Sequence, residues 1–182
     1  MKLLIGVTGG IAAYKACELV SLALKRGHEV RVMMTARATQ FVGPLTFAGL
    51  TAQRVLTNDS EAAMDHIQWA KWAEVVCVAP LTANTLGKLA QGLCDDVLST
   101  TLLALPADTP VVLGPAMNTE MWKHPAVQRN LAQVIADGRA TVVDPVSKRL
   151  ACGDIGPGGL ADPVDLLAAC EAAGRRPHPT DR

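Results

Sequence analysis

Leu3-Leu4-Ile5-Gly6-Val7-Thr8-Gly9-Gly10-Ile11-Ala12-Ala13-Tyr14-Lys15 is the stretch on which the fold turns. Leu3 to Val7 is a continuous apolar run, the pattern of a strand buried on both faces. Thr8-Gly9-Gly10 makes a turn, and from Ile11 helical spacing runs to Lys25, closed by Gly27 as a C-cap glycine. Glu29 to Thr35 reads as a second strand. The chain thus opens strand–turn–helix–strand, with its glycine turn at the carboxyl end of the first strand. In open parallel sheets that edge binds ligands, and helix N-terminal N–H groups there favour phosphate. The glycines do not fit the dinucleotide spacing GxGxxG: they stand at Gly6, Gly9 and Gly10, with Ala12 and Ala13 following. Thr35 occupies the place of an acidic ribose ligand. A mononucleotide is favoured over a dinucleotide, and a plain tight turn is the alternative.

Working outward, the remaining apolar runs extend the same pattern. Val75 to Ala79, Val111 to Leu113 and Ala140 to Val143 read as strands three to five. Helices are expected after Pro44, after Thr82 as N-cap, over Val97 to Leu105, over Pro125 to Asp137, and from Asp162-Pro163 to about Ala173. The expected fold is α/β: a single doubly wound, Rossmann-like parallel sheet with helices on both faces. Residues 1–174 form its one domain, and 175–182 a disordered tail. The glycine-rich segment from Leu150 to Leu160 reads as a mobile lid carrying Cys152.

Composition narrows the function. With 182 residues, 49% hydrophobic and 19% charged, the chain can bury a sizeable core. Lys+Arg and Asp+Glu both number 17, which gives no argument for nucleic acid or a membrane surface. No run approaches a membrane span, and Met1 to Val7 lacks the features of a signal peptide. The cysteines (Cys17, Cys77, Cys94, Cys152 and Cys170) are odd in number and scattered, without CxxC. Neither a zinc site nor a disulfide framework is indicated, and free thiols suit a cytoplasmic protein.

Pro115-Ala116-Met117-Asn118-Thr119-Glu120-Met121-Trp122 is an unusual connector. Bulky apolar side chains around one amide suit a loop that closes on a small ligand. A turn capped by Asn118, with Met117, Met121 and Trp122 folded into the core, is equally compatible with the residues. His66 stands just ahead of a short amphipathic segment, and the residues leave it either structural or catalytic. Thr82, Asn84, Ser99 and Thr100 place hydroxyls and an amide near the same sheet edge, as caps or as ligands for a phosphate or flavin.

These motifs, from Gly6–Lys15 through His66-Ile67, Ala83-Asn84-Thr85-Leu86 and PxMNxxMW to Ala151-Cys152-Gly153-Asp154, together resemble the flavin-dependent cysteine decarboxylases, in the branch serving coenzyme A biosynthesis. The resemblance covers nearly the whole chain. It implies FMN as cofactor, a homotrimer or a dodecamer of four trimers, and flavin sites at subunit interfaces. The implied reaction converts 4′-phospho-N-pantothenoylcysteine to 4′-phosphopantetheine and carbon dioxide. By motif, His66 would be the acid–base residue, Asn118 would bind the substrate carboxylate, and Cys152 would donate the proton in the closing reduction. Ala116, Met117 and Met121 would shape the substrate pocket; Gly9, Gly10, Ile11, Thr35, Phe41, Asn84, Ser99 and Thr100 would hold the flavin. Gly159 departs from the pattern, which usually has arginine or another side chain there. Relatives often continue into a ligase domain, so a stand-alone decarboxylase and a piece of a longer protein both remain open. Peptidyl-cysteine decarboxylases share the loop but omit the final reduction, which the Cys152 segment argues against. Flavin prenyltransferases lack the loop. A non-catalytic FMN-binding regulator is a further alternative, weakened by the presence of both His66 and Cys152.

Overall fold

A computed structural model describes residues 1–138, 140–149, 153 and 155–175. Cys152 and residues 176–182 of the expected tail lie outside the described residues.

β1 (Lys2–Val7) leads through a 3-10 turn, Ile11–Ala13, into α1 (Tyr14–Lys25) and β2 (Glu29–Met34). Then come α2 (Pro44–Thr51), α3 (Asp65–Trp72), β3 (Val75–Leu81), α4 (Ala83–Gln91) and α5 (Val97–Leu103). β4 (Val111–Pro115), α6 (Thr119–Lys123), α7 (Pro125–Ala136) and β5 (Ala140–Val142) complete the main sheet. The hairpin β6 (Val146–Arg149) and β7 (Ile155–Gly159) precedes α8 (Pro163–Gly174).

The sheet order is β2-β1-β3-β4-β5, all parallel. All seven residues of β3 and all five of β4 are buried, which is why these segments carry uninterrupted apolar runs rather than alternation. One face of the sheet packs with α1 and α8 around Ile5, Val7, Leu19 and Leu166; the other packs with α3, α4, α5 and α7 around Leu4, Val78, Leu86 and Leu98. The fold is therefore α/β and doubly wound. The chain turns to opposite sides of β1, so the sheet's switch point lies between β1 and β3, where a crevice opens at the carboxyl edge.

Four expectations need adjustment. β3 runs on through Pro80 to Leu81, and β4 to Pro115, because both ends stay paired, Leu81 opposite Pro115. His66 lies within the first turn of α3 rather than ahead of it. The second half of the Pro115–Trp122 connector is helical. Ile155 to Gly159, read as part of a mobile lid, is a strand: it pairs with β6, Lys148 opposite Gly156 and Val146 opposite Gly159.

Two charged clusters fasten the periphery. Glu171 of α8 accepts from Arg26 at 2.9 Å and bonds His28 at 3.0 Å, tying α8 to the end of α1. His28 and then Arg26 hold the Glu171 carboxyl below its ordinary value. Asp65, almost fully buried, accepts from Arg54 and from the Ala62 N–H, and these bonds hold its carboxyl low. The pair pins the start of α3 and hence the backbone of His66. No helix among the described residues is long and apolar enough to cross a membrane.

Candidate active site

At the carboxyl edge beside β1 and β3 lies a cavity of about 430 Å³. Its walls come from the Gly9-Gly10 turn, Pro80 and Thr82 at the end of β3, Ala116 to Asn118 after β4, Met121 of α6, and the β6–β7 hairpin. Thr8 fixes the two strand ends: its hydroxyl donates to Pro80 O at 2.7 Å and accepts from Thr82 N at 3.0 Å. Thr82 in turn caps α4, accepting from Thr85 N, as expected from its position.

Asn118 caps α6. Its Oδ1 accepts from Glu120 N at 2.8 Å and Met121 N at 3.4 Å, so the side-chain amide is held in one orientation at the cavity wall. Both sequence readings of this loop thus hold in part. Asn118 is a cap, and Met117 and Trp122 pack partly against the core, but Met121 is 48% exposed and lines the cavity. The hairpin closes on this loop through its backbone: Met117 N donates to Gly158 O at 2.9 Å. Gly158 has φ +143, and a Cβ there would stand 2.2 Å from Met117 O, so only glycine permits the contact.

Of the residues singled out in the sequence, the cavity brings together Gly9, Gly10, Ile11, Ala116, Met117, Asn118 and Met121. Thr35 and Phe41 lie just beyond it. Arg37 packs against Gly9 and reaches over the Phe41 ring at 5.7 Å, while Thr35 Oγ1 accepts from Ala38 N. Asn84 is exposed in the first turn of α4. Ser99 is buried in a capping box with Asp96, and Thr100 Oγ1 donates to Asp96 O at 2.8 Å. Ser99 lines a second cavity, under α4, α5 and α7. His66 does not line the first cavity. It is half-buried on α3 with Nδ1 2.8 Å from Glu61 Oε1, a contact that fixes the ring and directs Nε2 away from Glu61.

Sequence reasoning assigned no role to Lys15, Lys148 and Arg149, which also line the cavity, or to Arg37. Lys15 was visible in the opening motif; Lys148 and Arg149 gave no signal because the hairpin that presents them was not read. Among the described residues, no aspartate or glutamate lines the cavity. Burial, and then the neighbouring Lys15 ammonium, push the Lys148 pKa down. A backbone-walled glycine turn, an apolar floor of Ala12, Ala83 and Leu160, and cations without carboxylates suit a ligand with a flat apolar body and an anionic end.

Residues 1–173 match the family described as Flavoprotein, and the chain belongs to it. It is 44% identical over 174 residues to the coenzyme A biosynthesis bifunctional protein of Bacillus subtilis (strain 168), covering 93% of this chain and 42% of that protein. The chain thus spans about two fifths of the length of that curated relative. It is 42% identical to a Streptococcus mutans protein named probable phosphopantothenoylcysteine decarboxylase, over 93% of this chain and 97% of that one. A solved PPC decarboxylase, a cysteine-to-serine mutant complexed with pantothenoylaminoethenethiol, superposes with a TM-score of 0.85. The two share 33% identity over 94% of this chain and 96% of that chain.

Proposed function

We propose that the protein is an FMN-dependent decarboxylase that converts 4′-phospho-N-pantothenoylcysteine to 4′-phosphopantetheine. The observation that carries the reading is the cavity at the β1–β3 switch point, where the glycine turn, the Asn118 loop and three cations converge, with no acid among the described residues that line it. This lining suits FMN: Ala12, Ala83 and Leu160 would provide apolar contact for its ring system, and the Gly9-Gly10 N–H groups and the cations would favour its phosphate. When bound, FMN supplies the oxidation and re-reduction that give the departing carboxylate's electron pair a place to go.

The chain's own groups supply the rest. Asn118, its Oδ1 held by two backbone N–H groups, presents its NH2 in a fixed direction, suited to orienting a substrate carboxylate. Met117 and Met121 shape the space around it. His66, with Nδ1 against Glu61, uses Nε2 to take the substrate thiol proton. Cys152 is assigned the proton returned to carbon when the enethiol is reduced. Gly9, Gly10 and Ile11 hold the flavin with Thr35 and Phe41. Asn84, Ser99 and Thr100 do so from α4 and α5. His66, Asn84 and Thr100 do not line this chain's own cavity, which supports a site shared between copies in a homotrimer. Residues 1–174 are taken as the cofactor-binding unit, and the cytoplasm as its location, in keeping with free cysteines at positions 17, 77, 94 and 170.

The test is a visible spectrum of the purified protein followed by mass spectrometry of its reaction with 4′-phospho-N-pantothenoylcysteine. A flavin spectrum and a product lighter by one carbon dioxide are expected. A product that has also lost two hydrogens would mean that the closing reduction fails and the chain belongs with peptide-modifying relatives. Flavin without any mass change would overturn the enzyme reading in favour of a regulator.

A further inference from the structure

Lys148 lies closer to Gly159 across the β6–β7 hairpin than a Cβ at 159 would allow without moving the lysine stem. A Cβ on residue 159 would stand 2.3 Å from Lys148 Cε and 2.9 Å from its Cδ. The lysine stem therefore lies across Gly159, and its ammonium stands beside Lys15 at the cavity wall. A lysine that merely drapes over apolar surface to reach water needs no such gap and avoids other cations.

The charge balance is local. The chain has a formal net charge of zero, yet among the described residues its cavity is lined by three cations and no carboxylate. Elsewhere several half-buried cations are matched: Lys88 with Asp95 and Asp96, Arg54 with Asp65, Arg26 with Glu171. Among the described residues neither Lys15 nor Lys148 has a carboxylate partner. Two ammonium groups side by side repel, and the Lys15 ammonium makes Lys148 harder to protonate. A dianion between them relieves both, and a lysine is well suited to meet phosphate as a compact point charge.

We infer that Lys148, laid across Gly159, and Lys15 form the subsite for a phosphate monoester at the end of a ligand held in this cavity. The inference deepens the proposed function and rests on it for the two ligands that carry such a group, the cofactor and the substrate. Charge-assisted hydrogen bonds of this kind change affinity by about tenfold or more.

Two measurements on the flavin-loaded protein separate the sources. One is calorimetric titration with 4′-phosphopantetheine and with pantetheine; the other is FMN release on dilution, read from flavin fluorescence. In Lys148→Gln, weaker binding of 4′-phosphopantetheine by about tenfold or more, with pantetheine unchanged, assigns the substrate phosphate. Faster FMN release by a similar factor, with both thiols unchanged, assigns the cofactor phosphate. Equal weakening of both thiols, or wild-type values throughout, overturns the subsite. Gly159→Ala keeps the charge but displaces the flexible lysine stem, and the same selective loss is expected; wild-type behaviour there overturns the assigned position. A Lys148-dependent preference for the phosphorylated thiol without any carbon dioxide release would overturn the proposed reaction and leave the subsite standing.

Discussion

Asn118 holds α6 in place and faces the cavity, and one substitution separates these roles. Aspartate caps a helix about as well as asparagine, because its carboxylate accepts the same backbone N–H groups. Asn118→Asp is therefore expected to unfold within about 0.5 kcal/mol of wild type. Its turnover should fall by about 100-fold or more, because a carboxylate loses the NH2 donors and repels the substrate's own carboxylate. Denaturation and steady-state kinetics on the same preparation check both halves; an active variant would remove Asn118 from carboxylate recognition. His66→Asn should likewise keep its flavin spectrum and lose about 100-fold or more in turnover. Asn118 was legible because Pro115 and Pro125 frame a connector too rich in methionine and tryptophan to be a plain link. Lys148 was not. Its meaning depends on Gly159 of the neighbouring strand, and the departure noted there is filled in space by the Lys148 side chain from the opposite strand. Nothing local in Val146-Ser147-Lys148-Arg149 carries that information.

The main-sheet strands were legible as elements because burial on both faces leaves an apolar run with no alternation to misread. The hairpin was not, because Ile155-Gly156-Pro157-Gly158-Gly159 has almost no strand preference of its own. It is extended because β6 pairs with it and because Gly158 binds the Met117 backbone. Gly158→Ala should therefore cost about 1–3 kcal/mol, since alanine resists φ +143 and its Cβ meets Met117 O. A urea titration measures the loss, and an unchanged midpoint would show that the hairpin does not hold the loop. The α1–α8 clamp makes a pH prediction. Glu171 is held below its ordinary value by His28 and then Arg26, so its contribution is fully present above the unfolded glutamate value of about 4.3. That contribution is lost as pH falls through the lower folded value. The stability gap between wild type and Glu171→Gln should thus shrink below about pH 4.3. Asp65 and Asp96, also held low, titrate in both proteins and cancel in the difference. A gap that stayed constant into acid would mean that the clamp carries no charge-dependent stability.

Taken as a whole molecule, one copy of the chain separates the residues assigned to the proposed reaction. Asn118, Met121 and the glycine turn line one cavity, while His66 stands on α3, which packs with α5 on the other side of the sheet. Antiparallel running of helix and strand puts the start of α3 at the same carboxyl edge, so His66 points its chemistry along that edge without entering this cavity. A second copy bringing its own His66 to the first copy's Asn118 resolves the separation, as closed cyclic assemblies commonly do with residues from neighbouring subunits. The same separation is why candidate site residues could be picked out along the chain but not grouped: order along a chain says which edge a residue reaches, not which copy's cavity it would serve. The consequence is measurable. His66→Asn and Asn118→Asp are each inactive alone, but when co-expressed and assembled at random, about a quarter of the sites pair an intact histidine with an intact asparagine. Mixed trimers purified through both tags should recover about a third of wild-type turnover per flavin, one competent site in three, while the two variants mixed after separate assembly should stay inactive until the subunits exchange. If the hybrids remain inactive although each tag is present and the flavin content is normal, His66 and Asn118 must act within one chain, and the shared site is lost.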